Sequence, residues 1–216
     1  MTETSPLVKP ARHNHTVRRL ETFSDIVIAF TLSQLAFTLR LPHSSRDLMT
    51  HPLGQIAFLG SFTFVCGLWW LHHRLFGRYF YPDTASVLAN FLFLASTVYF
   101  AYSMLLVTTF GDAIALSAYG LSVGCAYALL ALLLAKGSHD SRLQLEQEDR
   151  AEGRRVASRV AIAAVAFFSS SLLAILGRSQ GEIAAVWITA GVLIALLALS
   201  QRLARRRREQ KASSSA

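Results

Sequence analysis

Arg19-Leu20-Glu21-Thr22-Phe23-Ser24-Asp25 runs straight into an apolar segment extending from Ile26 to Leu39. Charged and polar side chains at the mouth of a membrane-length helix are costly against lipid, and face protein or water instead. The run lies where a chain entering a bilayer meets the interface. Read that way, it opens the first span of an integral membrane protein.

The rest of the chain agrees. Of its 216 residues, 53% are hydrophobic and only 16% charged, against about a quarter charged in a soluble domain. The apolar residues gather in blocks of roughly 20, the length a helix needs to cross about 30 Å of hydrocarbon. Six such blocks are expected, at 24–41, 53–75, 84–109, 113–135, 156–176 and 183–203. Pro42 closes the first, because proline disfavours helix at the residue before it. Tyr81-Pro82-Asp83 separates the second from the third, with Asp83 or Thr84 as the helix cap. Phe110-Gly111-Asp112 is a tight turn, Lys136 to Arg155 a charged, partly helical loop, and Gly177 to Gly181 another short connection. The fold class is all-α, with a polar N-terminal segment at 1–18, a six-helix membrane domain at 19–204 and a basic, disordered tail at 205–216. Residues 1–18 lack the apolar core and cleavage site of a signal peptide, so the first span is expected to stay in the mature protein.

Charge sets the orientation. With the N-terminus inside and six spans, only Arg40, Arg46 and Arg178 of the 21 Lys and Arg residues fall outside. The positive-inside rule then puts both termini in the cytoplasm of a multi-pass cell-membrane protein. The net charge of +8 is explained by topology, with no nucleic-acid partner. The Arg205–Arg208 cluster is a topology anchor that also offers a contact for anionic lipid.

Chemistry is sparse. Cys66 and Cys125 lie inside apolar blocks and read as small hydrophobes, neither a disulfide framework nor a metal site. Adjacent His72 and His73 point about 100° apart on a helix and do not chelate one ion. No catalytic residues, metal or cofactor are expected: mid-span acid–base pairs, phosphate-binding glycine motifs and zinc-protease motifs are all lacking, and the protein is not read as an enzyme. The absence of acidic residues in mid-span also speaks against a proton-coupled transporter. On the first helix, Phe30, Ser33, Gln34 and Phe37 share one face, and Ser33 and Gln34 are its strongly polar mid-span residues. In hydrocarbon that face needs protein or water, although a single hydroxyl often bonds its own backbone one turn back. Trp69, His72 or His73 lies at the depth of Arg19 and Asp25, and Asn90 is a further intramembrane polar residue suited to bonding a neighbouring helix.

The run Arg19-x-x-x-Phe23-Ser24-Asp25, with Phe58 to Phe62 leading to Trp69-x-x-His72-His73-x-x-Phe76 and with Asn90, resembles the transmembrane protein 175 family of endolysosomal and prokaryotic potassium channels. The resemblance covers the first half of the chain. It implies a homotetramer in the lipid bilayer, the first helix lining a central pore, with potassium as the permeant ion. By position it puts Phe30 at the principal apolar constriction, Ser33 at a ring of hydroxyls and Phe37 at an outer apolar ring, with Gln34 beside them. Arg19, Phe23, Ser24 and Asp25 would form a structural and gating network with Trp69, His72, His73 and Asn90. Phe30 stands where the family usually carries Ile or Leu, and Ser33 where it carries Thr. The competing readings are a non-conducting membrane scaffold and a proton- or cation-coupled transporter.

Overall fold

A computed structural model describes residues 9–39 and 53–179, with positions 186, 189, 193 and 194 beyond them. The sixth block at 183–203, the basic tail and the first eight residues lie outside a continuous described segment. Within it the chain is helical: α1 (Lys9–Leu35), α2 (Leu53–Arg78), α3 (Thr84–Phe110), α4 (Ala113–His139) and α5 (Gln147–Ile175), with single 3-10 turns at Ala36–Thr38 and Ser141–Leu143. Among the described residues, three helices are long and apolar enough to cross a membrane: α3, α4 and α5. α1 is polar in its first half. α2 carries Trp69, Trp70, His72, His73 and Arg74 in its last turns.

The caps follow local chemistry. Asp83 is the N-cap of α3, its carboxylate accepting from the Ser86 amide at 2.9 Å. Asp112 does the same for α4, accepting from the Ala115 amide at 2.8 Å. Each satisfies one of the N–H groups that a helix start leaves unpaired. Gly111 ends α3 at φ 64°, left-handed backbone that glycine enters without a Cβ penalty. A two-residue connection therefore reverses the chain between α3 and α4.

α4 and α5 pack most extensively, and α4 also lies along α3. Small residues permit the approach: a Cβ on Gly120 would come within 2.9 Å of the Phe167 carbonyl oxygen, and one on Gly124 within 2.8 Å of the Phe168 ring. α1 packs on α2 and α3. Its buried positions are Ser24, Ile28, Thr31 and Leu35, spaced by four, three and four residues. α2 answers with Ser61, Val65, Leu68, His72 and Leu75, all buried at the same kind of spacing. Between the layers the Phe64 ring meets Phe100 at 5.2 Å and Tyr127 at 5.4 Å.

Candidate functional site

Three helices converge on a chain of hydrogen bonds at the polar end of α1. The buried Ser24 hydroxyl donates to the Leu20 carbonyl at 2.8 Å. The Asn90 amide nitrogen donates to Ser24 Oγ at 3.1 Å. His72 Nε2 meets Asn90 Oδ1 at 2.9 Å. Because that amide oxygen only accepts, Nε2 carries the proton. His72 Nδ1 is then a buried lone pair with no hydrogen-bond partner among the described residues. The imidazole is stacked against Phe93 at 5.1 Å and lies 4.6 Å from the Phe76 ring. The arrangement suits a neutral ring, because a second N–H would have nothing to donate to.

Outside this chain a parallel set of contacts joins α1 to α2. Trp69 Nε1–H donates to Asp25 Oδ1 at 2.9 Å. His73 Nδ1 lies 3.2 Å from Glu21 Oε1 and its ring stacks on Trp69 at 5.7 Å. Ser24, Asp25, Trp69, His72, His73 and Asn90 are thus brought together, and Glu21 joins them, a residue that sequence reasoning missed. Its position four residues before Asp25, one helical turn away, was the available signal. Phe23 makes an edge-to-face contact with Phe91 at 6.0 Å. Arg19 stands apart: it is exposed and has no ion pair among the described residues.

Among the described residues, no layer covers the opposite face of α1. His15, Arg19, Phe23, Ile26, Phe30 and Ser33 are all exposed, as is Phe37 in the following 3-10 turn. At about 100° per residue the helical positions fall within about 80° of arc. Phe30 is 58% exposed and Phe37 79%. Ser33 Oγ donates to the Ala29 carbonyl at 3.2 Å, and the residue remains exposed. Gln34, grouped by sequence with Phe30, Ser33 and Phe37, is half-buried at the edge of the stripe.

A second polar assembly ties the helix ends together on the side where α2 and α4 finish. Asp83 pairs with Lys136 Nζ at 2.5 Å and with Arg142 at 2.9 Å, and Arg142 also pairs with Asp140 at 2.6 Å. Lys136, the Ser86 amide and Arg142 hold the Asp83 carboxyl well below the usual carboxylate range. The Arg142 guanidinium lies 3.8 Å over the Tyr81 ring. Arg74 pairs with Glu152 at 2.6 Å and Arg78 with Asp149 at 3.0 Å, joining α2 to α5. The mixed-sign segment from Lys136 to Arg155 is therefore mostly helix. α4 runs through to His139, α5 begins at Gln147, and Lys136, Arg142, Asp149 and Glu152 are paired across elements.

Among the described residues no group of His, Cys, Asp and Glu is placed to hold a metal ion. The fold and the polar centre between α1, α2 and α3 define a helical membrane protein of multi-pass type. The family model "Endosomal/lysosomal potassium channel TMEM175" matches residues 19–100, which span that centre. Over that stretch, less than half of its length, the chain is similar to the TMEM175 family. A solved structure, that of the potassium channel MtTMEM175 T38A variant in complex with a Nanobody-MBP fusion protein, is similar at a TM-score of 0.56. The two are 19% identical, with 89% of this chain and 93% of that chain covered, a likeness of fold. No curated protein matches the chain.

Proposed function

We propose that the protein is a passive cation channel that prefers potassium, a homotetramer in which the exposed stripe of α1 lines a central pore. The observation that carries the reading is that stripe. Among the described residues, a face from His15 to Phe37 is exposed along its length, touched at Phe23 by the Phe91 ring, and it bears both bulky apolar rings and a mid-span hydroxyl. Four copies around an axis would cover the face and leave a narrow apolar path. The family match supports an ion channel rather than an enzyme.

In this mechanism Phe30 and Phe37 form apolar constrictions that close by dewetting. Between them the Ser33 hydroxyls, with Gln34 carbonyls at the side, replace part of the hydration shell of a passing ion. The hydrogen-bonded centre of Ser24, Asp25, Trp69, His72 and Asn90 holds the pore helix against α2 and α3. The 183–203 block supplies a sixth span, both termini lie in the cytoplasm, and the basic tail meets anionic headgroups. No cofactor takes part.

The test is ion flux from liposomes containing the purified protein, with crosslinking to count subunits. Tetramers that release potassium faster than sodium are expected. A monomer or dimer, or intact proteoliposomes with no cation flux, would overturn the reading in favour of a non-conducting scaffold.

A further inference from the structure

Arg19 lies on the same stripe as Phe30 and Ser33, at its polar end, and meets no carboxylate among the described residues. Glu21 is turned to His73 and Asp25 to Trp69. Four other arginines are engaged: Arg74, Arg78 and Arg142 with carboxylates, and Arg150 with the carbonyls of Ser138, Asp140 and Leu145. Two surface grooves of about 400 Å³ each flank Arg19. One runs along α1 past Arg18, Thr22 and Ile26, and the other follows the seam between α1 and α3 past Leu20 and Phe91. Both include His15, Arg19 and Phe23, and no carboxylate lines either among the described residues.

We propose that His15, Arg18 and Arg19 form a site for a phosphate-bearing anion, and that its occupancy sets how readily cations enter the pore. The inference rests on the pore reading above. A guanidinium presents paired donors that match phosphate oxygens, and two adjacent arginines with a histidine favour a multiply charged group. In a tetramer the four Arg19 side chains ring one mouth of a cation path. Bare, that ring repels the permeant ion; with a multivalent phosphate bound, the local sign reverses and cations concentrate there. The phosphate belongs either to a lipid headgroup at the bilayer surface beside the pore mouth or to a free polyphosphate.

The experiment uses the full chain. Equilibrium dialysis with radiolabelled tripolyphosphate measures binding of the free anion in detergent. Binding and potassium flux are then measured in phosphatidylcholine bilayers with and without a phosphatidylinositol phosphate. Arg19→Gln is expected to weaken binding at least about tenfold, to raise flux in plain phosphatidylcholine, and to abolish the response to phosphate. The double variant His15→Gln/Arg18→Gln should weaken binding in the same direction, guarding against a folding defect at one position. Arg154→Gln, an exposed arginine on α5, should bind and respond as the wild type does. Binding of tripolyphosphate identifies a free anion, and binding confined to the phosphoinositide bilayers identifies a headgroup; either supports the site. Unchanged binding in Arg19→Gln, or equal weakening in Arg154→Gln, overturns it. Arg19-dependent binding without flux from any protein would sink the pore and leave the site standing. Flux with no binding of either probe would do the reverse.

Discussion

Asn90 is buried where α1, α2 and α3 meet, and its amide is used at both ends, donating to Ser24 and accepting from His72. Replacing it by leucine keeps the bulk and leaves the His72 N–H buried without an acceptor. An orphaned buried donor costs about 1–3 kcal/mol. Asn90→Leu should therefore lower the melting temperature by several degrees, followed by tryptophan fluorescence in detergent; an unchanged melt would mean that the bond adds nothing to stability. The polar residues of this centre were legible in the sequence because Ser, Asp, His and Asn within apolar blocks need partners. Arg19 was not legible in the same way. It belongs to the same short run as Ser24 and Asp25, yet lies about 140° and 120° around the helix from them. A run read as one motif thus splits between the packed face and the open one.

At the scale of elements, glycine marks where helices touch. A Cβ on Gly137 of α4 would collide with the Tyr79 carbonyl oxygen at the end of α2, whereas one on Gly67 of α2 meets nothing within 4 Å. Gly67→Ala should be neutral or stabilising by up to about 1 kcal/mol, since alanine is the better helix former. Gly137→Ala should be clearly destabilising, seen as early loss of the monodisperse peak on size exclusion after graded heating. Equal behaviour of the two variants would contradict the close packing of α4 on the end of α2. Hydropathy found the middles of the helices and the turns between them: Asp83 caps α3, and Gly111 with Asp112 reverses the chain. It underestimated their ends. α1 begins at Lys9 and α4 continues to His139, because hydropathy reports contact with lipid while helices extend beyond it into water. The pairings of Asp83 with Lys136 and Arg142 were illegible because they join residues far apart in sequence.

Among the described residues, α3, α4 and α5 form a close-packed apolar layer, while α1 keeps one face packed on α2 and α3 and leaves the other exposed. That asymmetry is what the pore reading explains: one side of α1 is fixed by hydrogen bonds, and the other bears Phe30, Ser33 and Phe37 toward an axis. Not every exposed aromatic has that meaning. Tyr102 on α3 is 53% exposed and stands on a different helix, where lipid is its expected neighbour. The most direct test of the account is therefore the single-channel potassium conductance of Phe30→Ala beside that of Tyr102→Ala in planar bilayers. The account predicts that removing the Phe30 ring raises conductance several-fold while Tyr102→Ala conducts as the wild type does. Conductance unchanged by Phe30→Ala, or raised equally by both substitutions, would contradict a pore lined by α1.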